Sequence, residues 1–474
     1  MQNNNRISSG VEGLDEVLKG GYIQGYPYLI KGGPGSGKTL FGLHFLAEGI
    51  SNGEKVVCIS FDESVDEIKR QGEDFRLPVD EIKFIDMLSA FGILTKDQIY
   101  LWTSSSMSEI FDFIKAIEDV AVGAKRVFID GIGVLSDVIG DGALYRRIIS
   151  TIVRRLSGHN TTTLLSSEAY EEPGRSMLSY VVSGEIVLEA KEVGGRLLRL
   201  LRLLKFRGDA NVGSHYFNIK NGKIRVYPII DFPVKAGKRK ETVSTGNEQL
   251  DRMFGGGILR GSHVIVSGKN GVGKTNICLQ LLMENDRRGE TGIFYSLDEQ
   301  EDIILERFRK IFDYEPKNLV FRELEGISSI GEFYACAVED LIEINPSIMV
   351  IDPANVLEYY SVSKNEIVGV MTKLENIVKE SSGIMVSVLE ITEAMDVFHF
   401  TGYGVSQFSD YLLSGRHIEL QGELLKAIAV VKNRFGDHER SFRLLDIKDG
   451  EGLKIGEPLR NFSGVISGHF QEMS

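Results

Sequence analysis

Cysteine is scarce in this chain, and its few copies are not placed for chemistry. The sequence contains three, Cys58, Cys278 and Cys336, with no C-x-x-C spacing between them. Disulfide frameworks and zinc sites need cysteines that are numerous or closely paired. The scarcity therefore argues against a disulfide scaffold or a zinc site, and it favours small buried residues in a reducing compartment.

Long apolar runs are missing as well. No stretch reaches the roughly 18 apolar residues that a membrane-spanning helix needs. The opening residues, MQNNNRISSG, have neither the basic start nor the apolar core of an export signal. We therefore expect a soluble protein of the cytoplasm that has no membrane partner.

The chain also lacks an excess of positive charge. It has 54 Lys and Arg residues against 67 Asp and Glu residues, which gives a formal net charge of −13. A protein that coats nucleic acid needs positive charge to replace the counterions of the phosphate backbone. The charge therefore disfavours a nucleic-acid partner, although a local basic channel is left open.

Two glycine-rich segments, by contrast, are present in near-duplicate. GGPGSGKT occupies Gly32–Thr39 and GKNGVGKT occupies Gly268–Thr275, and both fit the pattern G-x-x-x-x-G-K-[ST]. In such a phosphate-binding loop (P-loop), backbone N–H groups wrap a phosphate, the lysine reaches the β and γ oxygens, and the hydroxyl serves Mg²⁺. The surrounding pattern is strand, loop and helix in both copies. The predicted strands are Tyr26–Ile30 and His263–Ser267, and the predicted helices are Leu40–Ile50 and Asn276–Asn285.

These loops predict two sites for ATP and Mg²⁺. The candidate nucleotide-binding residues are Gly33, Gly35, Ser36, Gly37, Lys38, Thr39, Leu40, Gly268, Asn270, Gly271, Val272, Gly273, Lys274, Thr275 and Asn276. An Mg²⁺ site of this kind also needs a carboxylate at the end of an apolar strand. Asp130 follows Arg126–Ile129, and Asp352 follows Ile348–Ile351. The candidate metal ligands are therefore Thr39, Asp130, Thr275 and Asp352.

The two halves of the chain repeat each other well beyond the loops. Lys274 follows Lys38 by 236 positions, and later pairs keep offsets of 236, 222 or 227. Those pairs are Asp62–Glu63 with Asp298–Glu299, Asp130 with Asp352, Glu168 with Glu390, and Lys205–Arg207 with Lys432–Arg434. Three offsets, each shared by a group of positions, indicate that both halves share one fold.

A short polar run separates the halves. Asp231–Glu241, DFPVKAGKRKE, is typical of a linker, so we expect domains at residues 1–232 and 241–474. Each half alternates apolar runs of strand length with amphipathic stretches. This alternation predicts an α/β fold in which a mainly parallel sheet is flanked by helices.

An acidic pair ends the strand-like run after each P-loop helix. ISFDE ends in Asp62 and Glu63, and YSLDE ends in Asp298 and Glu299. A carboxylate at this position can face the γ-phosphate and orient or deprotonate the attacking group. We predict Glu63 and Glu299 for that role, assisted by the two aspartates. The alternative is a solvated helix start.

A basic pair occurs late in each half. Lys205-x-Arg207 and Lys432-x-Arg434 lie too far along the chain to belong to their own P-loop. Such cations can stabilise γ-phosphate charge from a neighbouring subunit, as arginine fingers do. Ordinary surface charge is the alternative.

Together these residues resemble the KaiC family of tandem RecA-like ATPases. The resemblance covers the whole chain, from the repeated openings SSGVEGLD and STGNEQLD to RNFSGVISG near the end. It implies two tandem RecA-like P-loop NTPase domains and ATPase activity. It also implies a two-tier homohexameric ring with ATP between subunits, so that each basic pair reaches the nucleotide of the adjacent protomer.

The resemblance further implies serine/threonine autokinase activity in the C-terminal domain. The phosphoacceptor segment corresponds to TGYGVSQFSD, in which Ser406 holds the acceptor serine position and Thr401 the secondary threonine. Gln407 replaces the acceptor threonine and cannot be phosphorylated. Autophosphorylation on Ser406 alone and a mere capping role for Ser406 and Ser409 are both left open.

Other departures limit what the resemblance carries. Both acidic pairs are Asp–Glu where the clock members have Glu–Glu, and the histidine expected after each finger arginine is His438 in the second half but Asn211 in the first. Only six residues follow Gly468, so we expect no tail for a stimulatory clock partner. Two alternatives stay open: a non-phosphorylating scaffold for a signalling-protein partner, and a DNA-dependent RecA-like ATPase.

Overall fold

The chain forms two compact units. The computed structural model describes residues 5–87, 107–168, 177–231, 241–324, 326–391, 409–420, 422–459, 462–463 and 471–472. The first unit is Met1–Ile230 and the second is Asp231–Ser474. Within these ranges no helix is both long and apolar enough to cross a membrane.

The first unit alternates strands and helices, as predicted. Its strands are β1 (Arg6–Ile7), β2 (Tyr22–Ile23), β3 (Pro27–Gly32), β4 (Val56–Ser60), β5 (Lys83–Asp86), β6 (Arg126–Asp130), β7 (Thr162–Glu168), β8 (Gly184–Val193), β9 (Arg196–Phe206), β10 (Gly213–Lys220) and β11 (Lys223–Tyr227). Its helices are α1 (Leu14–Val17), α2 (Lys38–Ser51), α3 (Val65–Asp74), α4 (Met107–Ala121), α5 (Val134–Ile139) and α6 (Gly142–Gly158). Short 3₁₀ helices lie at Val79–Glu81 and Met177–Tyr180.

Nine of these strands form one sheet in the order β11-β10-β9-β8-β3-β7-β6-β4-β5. The strands from β5 to β8 run parallel, and β9, β10 and β11 extend the sheet with antiparallel neighbours. The P-loop follows β3, which lies between β7 and β8. Ligands of such sheets bind at the carboxyl ends of the strands, and that edge here carries the P-loop, Asp130 and Glu168.

The second unit repeats this plan. Its strands are β12 (Thr242–Val243), β13 (Ile258–Leu259), β14 (His263–Gly268), β15 (Gly292–Ser296), β16 (Leu319–Glu323), β17 (Ile348–Asp352), β18 (Ile384–Glu390), β19 (Tyr411–Leu420), β20 (Glu423–Asn433), β21 (Arg443–Lys448), β22 (Gly452–Pro458), β23 (Phe462–Ser463) and β24 (Gln471–Glu472). Its helices are α7 (Glu248–Phe254), α8 (Lys274–Arg287), α9 (Glu301–Phe312), α10 (Ile330–Glu343) and α11 (Lys364–Glu380), with a 3₁₀ helix at Ala354–Tyr360. The sheet order is β16-β15-β17-β18-β14-β19-β20-β21-β22. The predicted α/β fold with two mainly parallel sheets is therefore confirmed.

Helices cover both faces of the sheets. All of β4 is buried, as expected for a parallel strand enclosed on two sides. Its consecutive side chains point to opposite faces. Cys58 packs in one core with Phe41 of α2, whereas Ile59 packs in another with Phe113 of α4 and Ile149 of α6. The same division holds in β15, where Phe294 faces the core of α8 and Tyr295 contacts Phe333 of α10.

Both P-loop helices begin two residues earlier than predicted, at Lys38 and Lys274. The residue before each start is a glycine with left-handed backbone angles, φ 102° at Gly37 and 99° at Gly273. Only glycine adopts this conformation without strain. The turn that wraps the phosphate is therefore also the turn that starts the helix, so the loop's lysine and following threonine already lie on its first turn.

Candidate functional site

The first P-loop presents an open, glycine-lined face. A Cβ placed on Gly33 or Gly35 would meet no atom within 4 Å, so nothing blocks close approach of a ligand there. Lys38 Nζ donates to the carbonyl oxygens of Gly32 at 2.9 Å and Gly33 at 3.1 Å. The lysine is thus folded over its own loop, at the position where a phosphate oxygen is its expected partner.

The candidate metal ligands of the first unit are in contact. Thr39 Oγ1 donates to Asp130 Oδ2 at 3.0 Å, and the Ser166 hydroxyl donates to the other carboxylate oxygen. Asp130 is buried, and burial raises its pKa more than these hydrogen bonds and Lys38 lower it. A desolvated carboxylate beside a hydroxyl is a donor set that suits a hard divalent cation.

Glu63 lies close to this pair. Gln71, two turns into α3, donates from Nε2 to Glu63 Oε2 at 2.6 Å. Burial is the largest cause that raises the pKa of Glu63, and the Asp130 carboxylate adds to it. Asp62 faces a neighbouring cavity of about 350 Å³ that Glu168 also lines. A carboxylate with a raised pKa beside a P-loop is suited to proton transfer.

In the second unit most of the predicted nucleotide and metal residues, with both members of the acidic pair, line one cavity of about 410 Å³. Its walls include Lys274, Thr275, Asp298, Glu299 and Asp352. Residues of the P-loop backbone, Asn270, Gly271, Gly273 and Asn276, line it as well. A cavity of similar volume, about 420 Å³, lies elsewhere in this unit beside Gln280 and Phe312, and none of the candidate residues line it. The residues that line a cavity therefore identify the candidate site better than the cavity volume does.

Four carboxylates crowd the second site, namely Asp298, Glu299, Asp352 and Glu390. Burial raises the pKa of Asp352 to about 7, with the neighbouring Asp298 adding to the shift and Lys274 opposing it. Burial and the charges of Glu299 and Glu390 raise the pKa of Asp298 to about 6. This surplus of negative charge favours a cationic ligand at the same place.

The residues present fit a magnesium-bound nucleotide. Ser36 Oγ, Asn276 Oδ1 and Asp352 Oδ2 are buried and have no hydrogen-bond partner within the described residues. Buried polar atoms of this kind are normally satisfied. Lys274 Nζ donates to the Lys269 carbonyl at 3.1 Å and lies 3.7 Å from Glu390 Oε1. Loop cations, unpaired oxygens and open glycines are the donors that phosphates and Mg²⁺ require.

Two of the candidate P-loop residues point away from the site. Leu40 and Val272 are buried, at 6% and 1% exposure, and Leu40 packs in the core of the first unit. Their side chains fix the loop to the sheet and leave only backbone atoms for a ligand. The candidate phosphoacceptors Ser406 and Thr401, together with Gln407, lie outside the described residues.

The basic pairs lie at the other end of the sheet from their own P-loops. Lys205 pairs in register with Glu185, which pairs with Leu29, three residues before the loop at Gly32. At about 3.3 Å per residue this is roughly 10 Å along the strand. Lys205 Nζ donates to the carbonyls of Ser179 and Val182 at 2.7 and 2.8 Å. The structure thus keeps Lys205 away from its own nucleotide site.

Sequence reasoning missed a second set of cations near the loops. Arg199 on β9 donates from Nη1 to the carbonyl of Gly35 at 3.3 Å. Lys426 on β20 lines the cavity of the second unit. They are separated by 227 positions, the offset that already links the two basic pairs. Each of these cations lies six residues before the predicted lysine of its half. The shared offset was therefore the signal in the sequence that could have identified them.

Two other pairs were missed or left without a role. Gln71 and Arg307, 236 positions apart, contact the catalytic candidates Glu63 and Glu299 respectively. Glu168 and Glu390 were matched by offset alone. The sheet register now places them opposite Gly32 and Gly268, the first residues of the two loops.

Two tandem α/β units, each with a P-loop, an adjacent buried Asp and an acidic pair, define a tandem P-loop ATPase. A family model described as "ATPase: KaiC" matches residues 7–230 and again residues 243–460. The chain therefore belongs to the KaiC ATPase family, as the sequence suggested.

Relatives in this family are similar along nearly the whole chain. The circadian clock protein KaiC3 of Synechocystis sp. is 25% identical, over 98% of this chain and 94% of the relative. KaiC2 of Synechocystis sp. is 28% identical, over 98% and 83%. The circadian clock oscillator protein KaiC of Picosynechococcus sp. is 27% identical, over 98% and 92%.

Proposed function

We propose that the protein is a magnesium-dependent ATP-hydrolysing switch with one nucleotide site in each domain, residues 1–232 and 241–474. The observation that carries this proposal is the single cavity that holds Lys274, Thr275, Asp298, Glu299 and Asp352. Bound MgATP supplies the phosphoanhydride that is cleaved and the cation that neutralises its charge. The chain's own residues bind, orient and move protons around it.

Each domain provides the same roles. Lys38 and Lys274 leave the backbone carbonyls that now hold them and bind phosphate oxygens, while Thr39 with Asp130 and Thr275 with Asp352 hold Mg²⁺. The expected sites of proton abstraction from the attacking water are the carboxylates of Glu63 and Glu299. The aspartates before them assist by charge.

A homohexameric ring completes the proposed sites. Lys205 and Arg207, and Lys432 and Arg434, lie at the sheet edge opposite their own loops, so each pair serves a nucleotide only from a neighbouring copy. Arginine fingers in trans stabilise the charge of the transferred phosphoryl group. Family membership and this placement support the ring, and a signalling-protein partner reads out its nucleotide state.

Autophosphorylation on Ser406, with Thr401 as a secondary acceptor, is the further proposed activity of the second domain. Family resemblance supports it, and Gln407 limits it to a simpler cycle than two neighbouring acceptors allow. The non-phosphorylating scaffold is the second candidate, and the same residue, Gln407, favours it.

One experiment tests hydrolysis and phosphotransfer together. Purified protein is incubated with MgATP, and its intact mass and the released phosphate are followed in the same tube. Glu63→Gln combined with Glu299→Gln is expected to abolish both signals, and phosphate release that survives in this variant contradicts the assignment of the bases. A phosphoryl mass increase that disappears in Ser406→Ala supports the autokinase, whereas phosphate release without a mass change leaves an ATPase switch.

A further inference from the structure

A buried polar network stands behind the second basic pair. Asp410 is 4% exposed and directly precedes β19. One carboxylate oxygen, Oδ2, accepts hydrogen bonds from the His263 backbone N–H at 3.0 Å and from Lys379 Nζ, which lies 3.1 Å away. The other oxygen, Oδ1, lies 3.8 Å from Arg434 Nη1. Asp410 thus joins the start of the P-loop strand to the finger arginine.

Asp410 is held in place from deeper in the unit. Lys379 Nζ also lies 2.6 Å from Glu375 Oε1, and Glu375 Oε2 lies 3.7 Å from His263 Nδ1. The opposite nitrogen of His263 is 2.9 Å from Ser387 Oγ. Burial lowers the pKa of Lys379, but the carboxylates of Glu375 and Asp410 outweigh burial and raise it overall. Lys379 therefore stays charged between two carboxylates.

The backbone beside Asp410 also holds the basic pair. The Arg434 N–H donates to the Asp410 carbonyl at 3.0 Å, and Lys432 Nζ donates to the Ser409 carbonyl at 2.6 Å. Ser409 is fully buried. Both members of the pair are therefore hydrogen-bonded to one short, buried stretch of chain.

The first unit has the backbone contact but a different set of side chains. The Arg207 N–H donates to the Ser183 carbonyl at 2.7 Å, as Arg434 does to Asp410. At the positions of Asp410, Lys379, Glu375, His263 and Ser387, the repeat offsets place Ser183, Ser157, Val153, Pro27 and Leu165. The charged part of the network is thus particular to the second unit.

We infer that Asp410 is the positioning residue for Arg434 of the Lys432–Arg434 pair, through which the second site of a neighbouring copy is completed. This inference rests on the proposed role of that pair in trans. The Arg434 side chain is 46% exposed, so close packing does not fix its rotamer. Its orientation therefore depends on its polar contacts. The Asp410 carboxylate is fixed by the His263 N–H and by Lys379, and it lies 3.8 Å from the guanidinium, whose position it therefore limits. Misplacement of about 1 Å costs on the order of a hundredfold in rate.

The test uses the full-length protein with Glu63→Gln, so that phosphate release reports the second site. Asp410→Asn keeps the shape of the side chain and is expected to lower kcat at least about tenfold with little change in KM. Asp437→Asn, at an exposed aspartate three residues after Arg434, is the matched control and should leave turnover unchanged. If Asp410 only supported the fold, its replacement would not be expected to lower kcat while leaving KM unchanged.

A double-mutant cycle with Arg434→Ala separates the possible failures. If Asp410 acts through Arg434, then Asp410→Asn should have no further effect once Arg434 is Ala. Additive losses, or unchanged kcat in Asp410→Asn while Arg434→Ala is slow, would overturn the inference and leave the proposed finger intact. Unchanged turnover in Arg434→Ala would instead contradict the finger itself.

A second variant guards against misfolding of Asp410→Asn. Asp410→Ser with Lys379→Ser copies the residues of the first unit and removes one charge of each sign. Its melting temperature is measured beside its turnover. A folded double variant with wild-type kcat contradicts the positioning role, and a folded variant with the same loss as Asp410→Asn supports it.

Discussion

Arg307 binds the carboxylate of Glu299 through an ion pair of 2.6 Å in the second unit. In the first unit the equivalent donor is uncharged: the Gln71 amide donates to Glu63, also at 2.6 Å. Both partners lie eight residues after the glutamate. The two proposed bases therefore have the same geometry and differ in the charge of the group that holds them.

Replacing Arg307 by Gln should raise the rate of ATP hydrolysis at the second site above that of the wild type. An oxygen already bound by a guanidinium attracts a water proton less than one bound by an amide. The pair is about one-third exposed, so its strength is under about 1 kcal/mol, and we expect a two- to fivefold rise in kcat at roughly this limit. The measurement is phosphate release in the Glu63→Gln background.

The reciprocal change provides the control. Gln71→Arg, measured with Glu299→Gln, should slow the first site by a similar factor. A fall in kcat for Arg307→Gln would show instead that the arginine is needed to orient Glu299.

Lys426→Ala should weaken ATP binding to the second site. The ammonium lines the cavity but lies on β20, beyond the P-loop itself. Charge-assisted hydrogen bonds to phosphate contribute about 1.5 kcal/mol or more, so the Kd for MgATP should rise roughly tenfold. Lys310→Ala, at a lysine that is 68% exposed, is the matched control. Equal affinity in both variants would remove Lys426 from the site.

Sequence alone was enough to name the parts of the candidate site that are local in the chain. The P-loop turn, its lysine and its threonine are contiguous, and Asp130 and Asp352 each end an apolar strand, so short patterns identify them. The repeated offsets of 236, 222 and 227 positions then predicted that both halves have one fold, which the two sheets confirm.

The remaining neighbours depend on which strands are adjacent. Glu390 reaches the second loop because β18 and β14 pair in the sheet, and Lys426 does so from a strand two places away. Arg307 lies in the second turn of α9 and contacts Glu299, which precedes the helix, so the contact depends on how the loop turns into the helix. The contacts of Glu390 and Lys426 follow from strand order and register, which the offsets do not contain.

Lys38→Ala should reduce assembly of the ring as well as turnover, whereas Lys274→Ala should spare the ring. The reason is the proposed division of labour, in which nucleotide bound between N-terminal domains holds the copies together. Native mass spectrometry with and without MgATP measures the oligomer directly. If Lys38→Ala gives assemblies indistinguishable from wild type in the presence of ATP, the division of labour is wrong.

Asp352 should destabilise the nucleotide-free protein at neutral pH. Its pKa is raised from an ordinary 3.8 to about 7, so the folded state retains a proton that the unfolded state has already lost. Stability from this group is complete below about pH 4 and is lost as the pH rises toward about 7. Asp352→Asn has no proton to lose. Above pH 7 and without Mg²⁺, its free energy of unfolding should therefore exceed that of the wild type by a few kcal/mol, at most on the order of 4. The difference should shrink toward pH 4.

Chemical denaturation followed across this pH range, with and without Mg²⁺, measures the effect. Saturating Mg²⁺ should raise wild-type stability at pH 8, because the cation replaces the lost proton beside the buried carboxylate, and it should do little for Asp352→Asn. Glu419→Gln, on the same sheet, supplies the control for removal of one negative charge. A wild-type protein whose stability rises from pH 4 to pH 7 relative to Asp352→Asn would contradict the buried, proton-retaining state of this aspartate. Such a result would also remove the reason to expect that Mg²⁺ stabilises the wild-type protein more than Asp352→Asn at pH 8.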